Sequence, residues 1–257
     1  MSQLRDRIRS VLLWSVSLPH FVVCGTFFAA LTLVMNPRRF DPLVRLFFRN
    51  QLRLAGARLE VHRHPDFDPD RTCVFVCNHV NLFDPFVAYS SVPQFLRGLE
   101  LASHFKIPVY GWMMGIMGNV PVPDGGDAAG LREMNRLARK AIDEGTSLLV
   151  FPEGTRTRTG ALGRFHPGAF RLAQQLGVPV VPMTQVGSFR LKQVKSWILR
   201  PTKITVHFHR PIETAEMERS DVKALRDAAR EAVEGPLLEA GIGPAPVSPR
   251  SDGPAAP

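Results

Sequence analysis

The stretch TCVFVCNHVNLFDPF, residues 72–86, joins a short apolar run to a polar segment that can carry chemistry. The run TCVFVC is rich in β-branched residues, which is typical of a buried strand. Open α/β sheets bind their ligands at such strand exits, where the polar segment begins. His79 and Asp84 stand five positions apart in it. Since the chain has eight histidines, this spacing alone is weak, and other parts of the chain must decide whether the pair is functional.

Further strands and helices alternate around this stretch. Short apolar or alternating runs predict four more strands, ARLEVH (57–62), SLLVF (147–151), VPVVPM (178–183) and KITVHFH (203–209). Amphipathic patterns that end near glycine predict helices over 128–145, 168–177 and 221–241. Strands that alternate with helices predict an α/β fold with a mixed, largely parallel central sheet flanked by helices.

Composition narrows the function classes. A chain of 257 residues with 45% hydrophobic content can bury one sizeable core, and its net charge of +9 points to an anionic partner. The basic residues are spread along the chain without aromatic interleaving, which argues against nucleic acid. Cys73 and Cys77 alternate with valines, so a buried strand explains them better than metal ligation with His79. We therefore expect no metal and no disulfide framework.

The N-terminal segment is unusually apolar. Residues 11–35 contain no charged side chain, and ~20 apolar residues suffice to span a membrane. A cleaved signal peptide is the main alternative, since Arg5, Arg7 and Arg9 resemble its basic region, but its apolar part is normally only about 7–15 residues long. Basic residues flank the segment on both sides, so it could cross, dip into the bilayer and return, or lie in the interface.

A basic amphipathic helix is expected next. Asp41 and Pro42 predict its start as N-cap and first helical residue, and Arg45, Arg49 and Arg53 form one stripe four residues apart. Such a helix beside an apolar one is typical of an anchor drawn to anionic lipid. We therefore predict a membrane anchor at 1–56, a catalytic domain at 57–240 and a disordered Pro/Ala/Gly-rich tail at 241–257.

A second polar cluster, FPEGTRTRTG (151–160), leaves the SLLVF strand. Arg156, Arg158 and Arg164 carry guanidinium groups that suit a phosphate or carboxylate, although a plain polar turn is an alternative. His79 can act as a general base, with Asp84 fixing its tautomer. The sequence contains no G-x-S-x-G nucleophile elbow, Walker A loop or GxGxxG loop, so we expect the substrate to supply the nucleophile, such as a hydroxyl.

Three ordered blocks resemble a known family. Asn78-His79 with Asp84 resembles the NHxxxxD motif of the glycerolipid acyltransferases, and 151–156 resembles their FPEGTR motif. The segment 178–182 is similar to their final VPxxP block. The resemblance is strongest to bacterial 1-acyl-glycerol-3-phosphate acyltransferases, which also carry an N-terminal two-helix membrane element comparable with residues 4–56.

The resemblance implies a glycerol-3-phosphate acyltransferase-like fold and an O-acyltransferase of phospholipid biosynthesis. His79, held by Asp84, would deprotonate the free hydroxyl of a lysophospholipid, which would attack an acyl thioester of coenzyme A or acyl carrier protein. No cofactor, metal or covalent acyl-enzyme is implied, and the location would be the cytoplasmic face of the inner membrane. The acceptor-binding candidates are Glu153, Gly154, Thr155, Arg156, Arg158, Arg164 and, more loosely, Lys106. The motif-flanking residues are Asn78, Pro152, Val178, Pro179 and Pro182, and 178–182 would border the acyl-chain or donor side.

One position departs from the family pattern. Asp124 stands where the family's second block usually ends in an arginine that helps bind the acceptor phosphate. An anion there would repel a phosphate. Either another arginine (Arg132, Arg158 or Arg164) takes over, or the acceptor is a lysophospholipid with a head group or a lyso-aminolipid. A non-catalytic lipid- or phosphate-binding membrane protein is the alternative from a different class.

Overall fold

The computed structural model describes residues 2–107, 110–125 and 127–243. The predicted disordered tail lies, from residue 244 onward, outside the described residues. The strands are β1 (Ala57–Arg63), β2 (Val74–Cys77), β3 (Leu96–Leu101), β4 (Val120–Val122), β5 (Ser147–Val150), β6 (Val180–Val186) and β7 (Thr202–Phe208). The helices are α1 (Ser2–Leu31), α2 (Pro37–Leu54), α3 (Asp84–Ser91), α4 (Tyr110–Ile116), α5 (Ala128–Asp143), α6 (Gly168–Leu176), α7 (Ser188–Leu191) and α8 (Val222–Glu239).

The strands form one seven-stranded sheet in the order β1-β7-β6-β2-β5-β3-β4. Neighbouring strands are parallel except β6 and β7, which are antiparallel. Helices cover both faces, so the predicted mixed, largely parallel sheet is confirmed. A hydrophobic core lies on each face of the sheet. β2 lies in the middle of the sheet and is buried at all four positions, so it contributes Phe75 to one core and Val76 to the other.

Two strands that the sequence did not predict, β3 and β4, extend the sheet at one edge. β3 reads LRGLEL, and its charged residues hide the strand pattern. Arg97 is nevertheless buried, because its guanidinium stacks on the Phe95 ring at 4.0 Å and donates to the carbonyl of Leu96. β4 contains Pro121, which an edge strand tolerates. The exits of both strands contribute to the site described below.

α1 and α2 pack against each other as antiparallel helices, which we call the anchor hairpin. Phe28 stacks on Phe40 near the turn, and Gln51 contacts Ser17 and His20 further along. Within the described ranges, one helix is long and apolar enough to cross a membrane, Gln3–Leu31, and only 11% of its apolar window is buried. This exposed apolar surface indicates membrane association.

The start of α2 and the role of its arginines differ from expectation. α2 begins at Pro37 with Asn36 as N-cap, because the Asn36 side chain accepts from the N–H of Arg38; the predicted start at Asp41-Pro42 is wrong. Arg45 pairs with Asp41 and donates to the carbonyl of Val92, at the C-terminal end of α3. Part of the arginine stripe therefore attaches the hairpin to the α/β domain. From the sequence, we expected the stripe to face anionic lipid.

Candidate active site

His79 and Asp84 form a hydrogen-bonded pair at the exit of β2. The Nδ1–H of His79 donates to Oδ2 of Asp84 at 2.8 Å, and Asp84 is completely buried. The backbone N–H groups of Val80 and Asn81 donate to the same oxygen. Because a carboxylate oxygen only accepts, it fixes His79 in the tautomer whose Nε2 is free to accept a proton.

The loop that carries the pair is built by side-chain to backbone hydrogen bonds. The Asn81 side chain accepts from the N–H of Phe83 and donates to the carbonyl of Ser188, at the start of α7. This turn places Asp84 at the first position of α3, where Pro85 follows with its preset backbone angle. Asn78 accepts from and donates to the backbone of Gln185 in β6. The motif-flanking asparagine therefore joins the loop to the neighbouring strand.

Glu153 supports His79 from behind and does not point at an acceptor. Its carboxylate accepts from the backbone N–H of His79 at 2.6 Å and from that of Gly163 at 2.7 Å. Burial raises the pKa of Glu153, although these two N–H groups oppose the shift. The carbonyl of His79 in turn accepts from the N–H of Thr157. Glu153 thus joins the two motif loops and does not line the cavity, and a role in acceptor binding stays a prediction.

A cavity of about 410 Å³ opens in front of His79, and we call it the His79 cavity. The His79 ring stacks on Phe151 at 4.2 Å between centroids, with its side chain 20% exposed toward this space. The anchor hairpin supplies one wall and the α/β domain the others. The lining residues are Trp14, Leu18, Phe21, Gln51, His79, Asn81, Leu82, Phe83, Pro85, Phe86, Glu100, His104, Ile107, Tyr110, Phe151 and Arg156. The space is therefore mostly apolar with a few polar groups, which is the usual lining of a ligand site.

Of the predicted cations, the structure brings Arg156 to the cavity wall. Arg158, Arg164 and Lys106 are exposed and do not line it, and Gly154 and Thr155 form the exposed turn before Arg156. One cation that was missed from the sequence, Lys192, directly follows α7. Burial, and next the charge of Arg156, lower the pKa of Lys192.

The VPxxP block lies at the amino-terminal end of the parallel strands, whereas His79 lies at their carboxyl-terminal end. In the parallel register Val74 pairs with Val180 and Cys77 with Met183, so residues 178–182 stand at the amino end of β6. His79 follows the carboxyl end of β2. Val178, Pro179 and Pro182 do not line the His79 cavity, and their position on the acyl-chain or donor side stays a prediction. Pro152 is buried, and its carbonyl accepts from the N–H of His166.

Asp124 does not face the cavity either. Its two oxygens accept from the N–H of Ser103 at 2.8 Å and from the Ser103 hydroxyl at 2.5 Å. Ser103 belongs to a short 3-10 helix, Ala102–Lys106, that follows β3. These hydrogen bonds, aided by His104, keep the pKa of Asp124 below its usual range. The anion in place of the family arginine thus fixes a cavity-wall segment.

The wall formed by β3 and the helices after it holds polar residues that the sequence analysis did not select. Glu100, His104 and Tyr110 all line the cavity, and the Nδ1–H of His104 donates to the Glu100 carboxylate. This pair was missed from the sequence because Glu100 lies on a strand that was not predicted, and a carboxylate four residues before a histidine is not a distinctive spacing. The described ranges contain no group of three or more His, Cys, Asp or Glu residues that could hold a metal ion.

Comparisons with known proteins agree with this geometry. The sequence model of the acyltransferase family matches residues 58–186, which is half of the chain and includes both motif loops. A 1-acyl-sn-glycerol-3-phosphate acyltransferase of Chlamydomonas reinhardtii is 30% identical over 90% of this chain and 70% of its own. A chloroplastic protein of the same name from Brassica napus, BAT2, is 36% identical over 56% of this chain, which spans only 41% of that relative.

The fold also matches a solved structure. The crystal structure of the 1-acyl-sn-glycerophosphate acyltransferase PlsC from Thermotoga maritima superposes with a TM-score of 0.77, covering 96% of this chain and all of that one at 21% identity. At this identity the likeness shows the fold, including the N-terminal helices that are part of the covered length. With the family match across the core of the domain, it follows that this chain belongs to the acyltransferase family.

Proposed function

We propose that the protein transfers an acyl chain from a thioester to the free hydroxyl of 1-acyl-glycerol-3-phosphate, giving phosphatidic acid. The observation that carries the proposal is the His79–Asp84 pair facing a cavity that combines an apolar wall from the anchor hairpin with the Arg156 guanidinium. Relatives named for this activity support the choice of acceptor.

The proposed reaction needs no cofactor. Nε2 of His79 removes the acceptor's hydroxyl proton while the oxygen attacks the thioester carbonyl carbon. The C–S bond then breaks, and the imidazolium returns the proton to the leaving sulfur. Asp84 stabilises the imidazolium through the 2.8 Å hydrogen bond to Nδ1. The donor is acyl-CoA or acyl carrier protein, and Arg156 binds the acceptor phosphate as a planar fork of donors.

We further propose that the anchor hairpin rests in one leaflet on the cytoplasmic face of the cell membrane. Two contacts support a hairpin that stays on the domain's side. Ser10 accepts from the N–H of Leu199, and the indole N–H of Trp14 donates to the carbonyl of Trp197 at 2.7 Å. α2 leads within two residues into β1. Both ends of the hairpin are therefore attached to the same α/β domain.

The experiment that tests the function is thiol release from acyl-CoA, and separately from acyl carrier protein, by full-length protein in vesicles supplied with lysophosphatidic acid. We expect phosphatidic acid to form, and His79→Ala to abolish its formation while the protein stays folded and vesicle-bound. Normal turnover by His79→Ala would refute the mechanism, and lipid binding without any thiol release would favour a non-catalytic binding protein.

One observation favours a second acceptor class. The Glu100 carboxylate lines the cavity, and a carboxylate suits the ammonium of a lysophospholipid head group better than a bare phosphate. Competition separates the two acceptors. If excess lysophosphatidic acid fails to inhibit acylation of a head-group lysophospholipid, the second acceptor is the true one.

A further inference from the structure

A small polar cluster lies inside the anchor hairpin, where the two helices meet. Gln51 on α2 is only 3% exposed, and its side-chain amide reaches across to α1. Its Nε2 donates to the backbone carbonyl of Ser17 at 2.9 Å, and its Oε1 lies 2.7 Å from Nδ1 of His20. Because a carbonyl oxygen can only accept, the amide nitrogen must face Ser17, and Nδ1 of His20 must carry the hydrogen. These two contacts fix the orientation of the Gln51 amide.

This arrangement leaves one hydrogen-bond donor of Gln51 unused. An amide nitrogen carries two N–H groups, and within the described ranges only the carbonyl of Ser17 accepts from it. The hairpin contributes four residues to the lining of the His79 cavity, which are Gln51 from α2 and Trp14, Leu18 and Phe21 from α1. The indole N–H of Trp14 already donates to the carbonyl of Trp197. The hairpin wall of the cavity is therefore apolar except for the spare donor of Gln51.

An apolar wall with one donor fits a hydrocarbon chain that begins at a carbonyl group. Lysophosphatidic acid has such a carbonyl in the ester of its 1-acyl chain. This ester is attached to the glycerol carbon next to the one that bears the reacting hydroxyl, so its carbonyl must bind in the same cavity as His79. A buried amide N–H without a partner is destabilising, and an ester carbonyl offers it an acceptor without adding a donor.

We propose that Gln51 donates a hydrogen bond to the ester carbonyl of the acceptor's 1-acyl chain and thereby selects acyl over alkyl lysophospholipids. The proposal rests on the proposed function, since it concerns the acceptor of that same reaction. His20 and the carbonyl of Ser17 hold the amide in place before the substrate binds, which lowers the entropy lost on binding. A 1-alkyl acceptor has a methylene group in place of the carbonyl, so it would leave the Gln51 N–H buried and unpaired.

The experiment compares 1-acyl and 1-alkyl lysophosphatidic acids of equal chain length as acceptors for full-length protein in vesicles, with acyl-CoA as donor. We expect wild-type kcat/KM to be about 10-fold higher for the 1-acyl acceptor, which corresponds to one buried hydrogen bond. Gln51→Met keeps the length of the side chain but removes the donor, so the two acceptors should become equal within about twofold. Both acceptors are measured on the same preparation, so partial loss of folded protein cancels in their ratio.

Gln174→Met is the matched control. Gln174 on α6 also donates to backbone carbonyls, those of Met217 and Glu218, and it does not line the cavity. We expect this variant to keep the wild-type preference for the 1-acyl acceptor.

Equal kcat/KM for the two acceptors in the wild type would overturn the proposal, and so would a preference that persists in Gln51→Met. If Gln51 only links α1 to α2, or donates to the thioester carbonyl instead, Gln51→Met slows both acceptors alike and leaves their ratio unchanged. If the wild-type protein acylates neither acceptor, the proposed function itself fails. Wild-type turnover without discrimination between the acceptors refutes only the role of Gln51.

Discussion

Replacing Asp84 by asparagine isolates the electrostatic part of the proposed mechanism. The side chain keeps its size, and the amide oxygen can still accept from the N–H groups of Val80 and Asn81. The negative charge beside the His79 imidazolium disappears. Two unit charges about 4 Å apart interact by about 4 kcal/mol at an effective dielectric constant of about 20, and that energy corresponds to roughly a thousandfold in rate. We therefore expect kcat to fall about a thousandfold, with KM for both substrates little changed.

The assay is initial thiol release from acyl-CoA by vesicle-bound protein, with circular dichroism and vesicle flotation to verify folding and attachment. Asp127→Asn is the matched control: Asp127 is the N-cap of α5, accepts from the N–H of Gly130 at 2.7 Å, and can be replaced by asparagine, an equally good N-cap. We expect wild-type turnover in that control. If folded Asp84→Asn keeps kcat within about tenfold of wild type, Asp84 does not stabilise an imidazolium in the rate-limiting step.

Two further predictions concern the acceptor and the stability of the fold. Arg156→Gln should raise KM for lysophosphatidic acid about 10-fold or more, because it removes the proposed bidentate phosphate contact. Arg158→Gln changes an exposed residue outside the cavity lining and should leave this KM unchanged. Equal effects of the two substitutions would contradict the placement of the phosphate. Burial, and next the charge of His207, lower the pKa of His209 to about 4 in the folded protein, while the unfolded chain titrates near 6.5. Because the unfolded state then binds the proton more readily, stability should fall as the pH drops from about 6.5 towards 4, by about 2 kcal/mol after allowance for partial exposure. Urea unfolding at several pH values measures this loss, and His209→Gln should lose less stability over that range.

The hydrogen-bonded pair of His79 and Asp84 could be predicted from the sequence because its geometry is local. His79 and Asp84 lie in one loop between β2 and α3, so a single turn, fixed by Asn81, brings them together. The strand before them is apolar on both faces, which is why the residue pattern identified it as a buried strand. The regular parts of the α/β domain were predictable for the same reason.

The opposite wall of the cavity could not be predicted, because nothing local marks it. β3 is a strand with an arginine and a glutamate in it, so its residue pattern does not read as a buried strand, although Arg97 is buried with its guanidinium on the ring of Phe95. Without β3, neither Glu100 nor His104 could be placed beside His79. Lys192 was missed for a similar reason, since only the position of α7 at the exit of β6 brings it near Arg156.

Residues 178–182 lie away from the His79 cavity for a simple geometric reason. Polar motifs that follow parallel strands lie together at the carboxyl-terminal ends of those strands. Residues that precede a strand lie at the amino-terminal ends, on the far side of the sheet. NHVNLFD and FPEGTR follow β2 and β5, but VPVVP begins two residues before β6 and includes the first three residues of that strand. The direction of the chain through each strand therefore places NHVNLFD and FPEGTR at the cavity and VPVVP away from it, although all three resemble blocks of the same family.

The anchor hairpin is part of the site as well as an attachment to the membrane. Trp14 lines the His79 cavity, its ring stacks on Phe83, and its indole N–H donates to the carbonyl of Trp197. These contacts hold α1 against the α/β domain at the level of His79. Phe21 lies about two turns further along α1. It lines the same cavity and packs on Phe86 at the start of α3. The same helix exposes the rest of its apolar surface. One continuous apolar helix thus connects the exposed apolar surface of the molecule to the cavity in front of His79, so a change in how α1 packs would alter both.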